Sequence, residues 1–146
     1  MSGKKKPKPK SFESKGEKYL DKTGRARADT SANLYESMLT SEAFMDLKPR
    51  QRLLYVYAKA QYYGKRKPKS DFKDVPEVQS DECFYLNIGY VVDTYGLYTT
   101  NQRKEFYGDI KVLIDHGFID DIVNGQSTKS RSIYRFSDRW KNWKKT

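Results

Sequence analysis

The chain has 146 residues, with 29 Lys and Arg against 19 Asp and Glu and a formal net charge of +10 at pH 7. This length accommodates one domain with a tail, or two very small domains, and excludes a large multidomain enzyme. A charged fraction of 33% and a mean hydropathy of -0.95 leave a modest core and predict that part of the chain is disordered.

The sequence predicts a soluble protein. No apolar run approaches the roughly 18 residues of a membrane-spanning helix, and the basic start at Lys4 is followed by no apolar stretch of the kind found in signal peptides. The single cysteine, Cys83, can form neither an internal disulfide nor a multi-cysteine zinc site. A reducing cytoplasm is therefore the expected compartment.

Positive charge is concentrated at the two ends of the chain. Residues 1–30 contain ten Lys or Arg and four Asp or Glu, residues 137–146 contain four and one, and residues 31–136 contain fifteen and fourteen. We predict a disordered basic tail over 1–30, a domain over 31–136 and a short basic helix over 137–146. A cationic tail adds salt-sensitive affinity for polyanions because each neutralised phosphate releases counterions. The alternative is a tail that serves only solubility.

The first half of the predicted domain reads as helical up to a long loop. One or two short helical turns are expected over 35–47, and Pro49 followed by apolar residues at helical spacing predicts a helix over 49–63. Residues 65–82 lack periodicity, which predicts an inserted loop. Its basic half is a candidate secondary contact surface, with a tolerated insertion as the alternative. The basic residues are Lys65, Arg66, Lys67 and Lys69.

The second half combines short strands with two helices. A strand over 83–86 precedes a helix over 88–95, for which Asn87 is a suitable N-cap. Thr99 and Gln102 have the spacing of a capping box, which predicts a second helix over 100–116. Residues 118–123 and 132–136 then read as two strands joined by a tight turn at Asn124-Gly125.

The second helix has one apolar stripe and one polar face. Steps of 100° place Phe106, Ile110, Leu113 and Ile114 together and Asn101, Lys104, Glu105, Gly108 and Lys111 opposite them. We expect the stripe to face the core and the polar face to point outward. The element order predicts an α+β fold, a winged helix-turn-helix, in which strand 83–86 pairs with the hairpin and the second helix enters the DNA major groove.

The stretches F-Y-L-N, Y-G-L-Y, N-Q-R-K-E-F-Y-G-D-I-K-V-L-I-D-H-G-F-I-D and S-I-Y-R-F-S-D-R-W resemble small winged-helix proteins of Gram-positive plasmids, phages and conjugative elements. The layout over residues 34–143 is also similar to the N-terminal domain of plasmid replication initiators. This resemblance implies binding of double-stranded DNA near an origin or operator. It also implies that the outward helix reads bases while the wing rests on phosphate.

Several side chains suit contacts with DNA. Asn101 and Lys104 can address base edges, and Gly108 lacks a side chain where a backbone would come close. Glu105 and Asp109 acidify the same helix and would repel phosphate, unless Glu105 accepts a hydrogen bond from a cytosine amino group. The complete predicted DNA-binding set is Thr99, Thr100, Asn101, Gln102, Arg103, Lys104, Tyr107, Gly108, Lys111, Lys129, Ser130, Arg131 and Arg135.

The sequence contains few side chains arranged for catalysis, and we predict neither an enzyme nor a cofactor. His116 is the only histidine, so the histidine-pair metal site of nicking relaxases cannot be built, and no phosphate-cradling G-x-x-x-x-G-K-[ST] motif occurs. His116 is expected to interact with the end of its helix. A cation site formed by Asp115, Asp120 and Asp121 is a minor alternative, and Cys83 is expected to be a buried small hydrophobe.

These observations predict a site-specific double-stranded DNA-binding protein of a mobile element, acting in replication initiation, conjugative transfer or transcriptional control. One alternative is a protein-interaction adaptor. Another is an RNA or single-strand binder, for which Tyr98 and Tyr107 are the rings expected to be exposed. Trp140 and Trp143 form one apolar edge that docks either on the domain or on a second copy, so a homodimer stays open.

Overall fold

A computed structural model describes residues 18–20, 23–28, 32–63, 83–86, 88–123 and 132–146. The chain divides into two units, residues 1–31 and residues 32–146. The architecture is mixed α+β, as the sequence predicts. None of the helices in the described residues combines the length and the apolar character needed to cross a lipid bilayer.

The first unit contains a small antiparallel ribbon. Strand β1 (Lys18–Leu20) pairs with strand β2 (Ala26–Ala28), with Lys18 opposite Ala28 and Leu20 opposite Ala26. Gly24 has a φ of 83°, a backbone conformation that tight turns use and that glycine adopts without strain. The prediction of disorder over 1–30 therefore needs correction for these strands. Backbone pairing orders a segment that has few apolar side chains to bury.

The second unit begins with three helices. Helices α1 (Glu36–Leu39) and α2 (Glu42–Met45) are single turns, and the Ser41 hydroxyl caps α2 by accepting a hydrogen bond from the Phe44 amide at 3.2 Å. Helix α3 (Pro49–Tyr63) has the bounds that the sequence predicts. The basic loop residues predicted as a secondary contact, within 65–82, lie outside the described residues.

Strand β3 (Cys83–Tyr85) is followed by helix α4 (Ile88–Asp93) and helix α5 (Arg103–Asp115). Helix α5 begins three residues later than predicted. The Gln102 side chain accepts from the Thr99 amide at 3.0 Å, and the Gln102 amide donates to the Thr99 carbonyl at 3.0 Å. Residues 99–102 are thereby held as a turn before the helix. Helix α4 also ends two residues short of position 95.

Strands β4 (Ile119–Val123) and β5 (Ile133–Phe136) complete a three-stranded antiparallel sheet in the order β3-β5-β4. Phe84 lies opposite Tyr134, so the predicted pairing of strand 83–86 with the returning strand is confirmed. The predicted turn at 124–125 and the wing residues Lys129, Ser130 and Arg131 lie outside the described residues.

One apolar core joins the helices to the sheet. Its fully buried side chains include Leu54 of α3, Phe84 and Leu86 around β3, and Phe106 and Leu113 of α5. The predicted apolar stripe of α5 thus does face the core. Cys83 is also buried, in a smaller cluster with Tyr85 and Ile133, as expected of a small hydrophobe.

The C-terminal segment forms a single 3-10 turn, Arg139–Asn142, where the sequence predicts a helix over 137–146. The Trp140 ring lies 6.3 Å from the Phe118 ring, and the Trp143 ring stacks on His116 at 4.4 Å between centroids. Gly117, with φ of 85°, accepts a hydrogen bond from the Trp140 amide at 3.1 Å. Both tryptophans therefore dock on their own domain, and these contacts fix the short turn.

Candidate nucleic-acid interface

Helix α5 packs against α3 and β4 along one side and is open to solvent along the other. Phe106, Ile110 and Leu113 face inward with no more than a few per cent of their surface exposed. The outward residues are exposed as the sequence predicts. Around the start of α5 and along its outer face these are Thr99, Thr100, Asn101, Arg103, Lys104, Glu105, Gly108 and Lys111, while Gln102 and Tyr107 are half-buried.

Asp109 points inward, contrary to the expectation that it acidifies the outer face. Its residue is only 7% exposed, and its carboxylate accepts from the Arg50 Nε at 2.8 Å and the Gln51 Nε2 at 3.1 Å. The physical reason is its position on the helix, about 40° from Leu113 on the side that faces α3. Of the two acids predicted to repel phosphate, only Glu105 is on the open face.

Tyr98 is buried, with 3% exposure, although it was expected to be one of the exposed rings. Its hydroxyl donates to the Asp109 Oδ2 at 2.6 Å, and its ring packs edge-on against Phe106 at 5.4 Å. Burial, together with the hydrogen bond and negative charge of Asp109, raises the pKa of Tyr98 far above its ordinary value. The ring therefore anchors the turn before α5 and presents no stacking surface to a nucleobase.

Arg50 and Gln51, at the start of α3, complete this buried polar cluster, and sequence reasoning missed both. Burial lowers the pKa of Arg50, but the hydrogen bond and charge of Asp109 outweigh that effect and raise it overall. The Gln51 Oε1 accepts from the Lys48 amide at 2.9 Å, so its amide nitrogen points at Asp109. A helical projection of α5 could have indicated the cluster, because a carboxylate beside an apolar stripe needs a partner.

Two groups of cations in the domain differ in their surroundings. Arg103, Lys104 and Lys111 of α5 are exposed and form no ion pair within the described part of the chain. The cations near the sheet and C-terminus are paired: Arg135 and Arg139 with Asp120, Lys141 with Asp138, Lys144 with Glu42 and Lys145 with Asp46. Positive charge that is open to an external anion thus includes these three residues of α5.

Arg135 was predicted to contact DNA, but it lies on β5 directly opposite Asp120 of β4. Its Nη2 is 3.3 Å from the Asp120 Oδ2, and the same carboxylate holds the Arg139 Nη2 at 2.7 Å. The cross-strand register accounts for this pairing, since directly opposed side chains lie within reach of each other. Arg135 therefore shares the single negative charge of Asp120 with Arg139, and its contact with DNA stays a prediction.

Tyr107 extends the outer face of α5 next to Arg103. The Arg103 guanidinium carbon lies 5.7 Å from the centre of the Tyr107 ring, within the range of a cation–π contact. The ring itself packs against Phe106 at 5.0 Å. Tyr107 is therefore half-buried and holds the guanidinium over its face, which limits how much of the ring is open for stacking.

His116 lies at the C-terminal end of α5, where the sequence predicts an interaction with the helix end. Its Nδ1 lies 2.8 Å from the Val112 carbonyl oxygen, and its Nε2 lies 2.8 Å from the Asp46 Oδ2. The hydrogen bond from His116 lowers the pKa of Asp46, and Lys145 adds to this effect. With both nitrogens occupied and Trp143 stacked on its ring, His116 joins α5, α2 and the C-terminal segment.

The described residues hold no group of three or more His, Cys, Asp or Glu side chains that could bind a metal ion. Of the three acids considered for a cation, Asp120 is engaged by two arginines. A groove of about 590 Å³ runs between the start of the domain, α3, β5 and the C-terminal turn. Its lining mixes the Lys59, Arg135 and Lys141 cations with Asp120 and Asp138, so it favours neither sign of ligand.

Comparison of the chain with protein-family models, with curated proteins and with solved structures finds no match. The candidate interface therefore rests on the geometry of α5 and its surroundings.

Proposed function

We propose that the protein is a non-enzymatic, site-specific double-stranded DNA-binding protein with a winged-helix domain. Helix α5 is the reading helix, which lies in the major groove. One observation carries this proposal: α5 presents Lys104 and Lys111 on its open face, without an ion-pair partner in the described residues, while Asp109 is turned into the core. The strand order β3-β5-β4 and the helices that interrupt it support the winged-helix assignment.

In this proposal the contacts divide by role. Asn101 and Lys104 address base edges, while Thr99 and Thr100 donate to phosphate before the helix begins. Glu105 stays on the open face and accepts from a cytosine amino group. Lys129, Ser130 and Arg131 of the wing contact the sugar-phosphate backbone. The basic residues at 1–30 add a further salt-dependent contribution.

The biological setting that we propose is replication initiation, conjugative transfer or transcriptional control of a mobile element. Support comes from the resemblance to winged-helix proteins of plasmids, phages and conjugative elements. Each of these roles requires one preferred DNA sequence. Selection of bound oligonucleotides from a random pool therefore tests the proposal directly, and recovery of no enriched sequence would contradict it.

The Lys104→Ala variant tests the reading helix. Affinity for the selected sequence should fall by roughly 1 to 3 kcal/mol, while affinity for unrelated duplexes should change much less, because a lost base contact affects only the preferred site. Lys141→Ala is the matched control, since it removes one charge from a lysine that lies 3.9 Å from Asp138 in the C-terminal turn. Equal effects of the two substitutions would show that α5 does not read sequence.

A protein-interaction adaptor is the second candidate, and two exposed apolar side chains favour it. Met45 is 63% exposed and Leu53 is 45% exposed. Size-exclusion chromatography of cell extract after nuclease treatment separates the candidates, since an adaptor keeps its partner and a DNA binder loses it. Competition between duplex and single strands tests the remaining alternative, which the burial of Tyr98 weakens.

A further inference from the structure

Arg50 contacts Asp109 through only one edge of its guanidinium group. The Nε donates to the Asp109 Oδ2 at 2.8 Å, and the guanidinium carbon lies 4.9 Å from the centre of the Tyr98 ring. The side chain is still 36% exposed. Among the described residues the hydrogen bonds of the guanidinium go to Asp109 and to the neighbouring Tyr98 hydroxyl. The remaining N–H bonds of its terminal amino groups are available to an external anion.

The carboxylate of Asp109 already accepts three hydrogen bonds and cannot readily bind the terminal amino groups of Arg50 as well. Its Oδ1 accepts from the Gln51 amide, and its Oδ2 accepts from both Arg50 and the Tyr98 hydroxyl. Arginine commonly binds a carboxylate through two parallel hydrogen bonds, but here Gln51 occupies the second oxygen. The cluster therefore fixes the position and direction of the guanidinium while its outer edge stays unused.

Asp109 is a residue of α5, so this contact ties the start of α3 to the flank of the proposed reading helix. Lys48 immediately precedes α3, is exposed and forms no ion pair within the described residues. Arg50 forms none there besides the pair with Asp109. A duplex whose major groove receives α5 has phosphate backbones on both sides of that helix. The fork of Arg50 matches the oxygens of one phosphodiester in a bidentate arrangement.

We propose that Arg50 binds a DNA backbone phosphate beside the groove that α5 enters, and that Asp109, Gln51 and Tyr98 hold it in place for this contact. This inference rests on the proposed function and adds to it a second element of the interface, the start of α3. The rival explanation is that Arg50 serves only as the counterion of buried Asp109. The two explanations differ in how the salt dependence of DNA binding responds to loss of the guanidinium.

The decisive variant replaces both partners, Arg50→Gln together with Asp109→Asn. It removes the pair of charges, leaves the net charge of the protein unchanged and keeps groups of similar shape in the cluster. Binding of the selected duplex is measured by fluorescence anisotropy over a salt series. If Arg50 contacts phosphate, the slope of log affinity against log salt becomes shallower by about 0.9, the value for one lost phosphate contact. Affinity at physiological salt falls about tenfold. An unchanged slope overturns the inference.

One control variant isolates the phosphate contact. Arg52→Gln removes a cation two residues along α3 whose guanidinium is bound to the Leu47 and Met45 carbonyls, and its slope should be unchanged. A slope that falls equally in Arg52→Gln and in the double variant assigns the effect to general charge and contradicts the inference.

Failure of the proposed function is distinguishable from failure of this inference. If the wild type shows no salt-dependent, sequence-selective DNA binding, both the proposed function and the role of Arg50 are contradicted. If the wild type binds selectively, Lys104→Ala weakens binding and the double variant has the wild-type salt slope, only the role of Arg50 is contradicted. Circular dichroism checks folding. If the double variant is unfolded, Arg50→Lys is measured instead. A single ammonium cannot contact the carboxylate and the phosphate in this fork geometry, so several-fold weaker binding is expected and wild-type affinity overturns the inference.

Discussion

Gly108 lies in the middle of α5 with open space where a side chain would project. A Cβ atom built at this position would meet nothing within 4 Å. Glycine in a helix interior is less stable than alanine by roughly 0.5 to 1 kcal/mol, because it loses more backbone entropy on folding. No neighbour among the described residues would clash with a side chain at this position. The proposed DNA binding explains the glycine, because the absence of a side chain lets a DNA backbone or base edge approach the helix.

The Gly108→Ala variant should therefore be more stable and bind less tightly. We expect a gain of about 0.5 to 1 kcal/mol in the free energy of unfolding, measured with urea, and weaker binding of the selected duplex. Gly117→Ala is the contrasting variant, since a φ of +85° and a Cβ only 2.5 Å from the Trp140 nitrogen make it destabilising. Unchanged affinity in Gly108→Ala would show that no DNA surface comes close at this point.

At the scale of elements, the buried cluster around Asp109 connects three parts of the domain. Arg50 and Gln51 come from α3, Tyr98 comes from the turn before α5, and Asp109 belongs to α5 itself. A buried carboxylate is tolerated only when it is paired and hydrogen-bonded, and here three donors satisfy it. The direction of α5 relative to α3 is therefore set by polar contacts as well as by the apolar stripe.

Tyr98→Phe removes one of these contacts while preserving the ring. The hydroxyl donates to a charged, buried acceptor, so the loss should destabilise the protein by about 1.5 to 3 kcal/mol. Chemical denaturation at neutral pH measures this change. Tyr35→Phe is the control, since Tyr35 is 70% exposed and its hydroxyl forms no hydrogen bond in the described residues. Equal stability of the two variants would mean that the Tyr98 contact contributes nothing net.

The contact between α2 and the end of α5 predicts a dependence of stability on acid. The hydrogen bond from His116 lowers the pKa of Asp46 from its ordinary value of 3.8, so the ionised carboxylate is favoured in the folded state. This contribution is fully present above pH 3.8 and is lost as the pH falls through the lowered pKa of the folded protein. Asp46→Asn should be less stable than the wild type at pH 7, and the difference should shrink as the pH falls below 3.8 in thermal unfolding. A difference that is constant with pH would contradict this assignment.

At the scale of the whole molecule, the two units make different contributions to the charge. Residues 1–30 hold ten Lys or Arg against four Asp or Glu, whereas the larger unit pairs several of its own cations internally. Sequence preference in the proposed function belongs to α5. In the same proposal, the basic first unit contributes affinity that depends on salt and not on sequence.

Deletion of residues 1–31 tests this division. The remaining 32–146 unit contains the apolar core described above, and it should select the same DNA sequence as the full chain. Its salt slope should be shallower and its affinity for all duplexes lower by a similar factor, because fewer counterions are released. Anisotropy titrations with selected and scrambled duplexes provide the comparison. Loss of sequence preference would place part of the reading surface in the first unit.

The local pattern of the sequence was sufficient for the mixed α+β class, for helix 49–63, for the apolar stripe of α5 and for the pairing of strand 83–86 with the returning strand. These features depend on periodicity and on residues close in the chain. The winged-helix assignment and its DNA-reading role stay proposals. The two-stranded ribbon in the first unit was missed because backbone pairing leaves little trace in composition.

Tertiary structure alone decided which charges are available on the surface. The sequence predicts that Asp109 acidifies the second helix and that Arg135 contacts DNA, but packing brings Asp109 to Arg50, 59 positions away, and the register of the sheet brings Arg135 to Asp120. Periodicity assigns a side chain to a face of its own element. Whether that face meets a partner of opposite charge depends on which distant element packs against it. For this physical reason the sequence could suggest the reading helix, but it could not show that Asp109 is bound by Arg50.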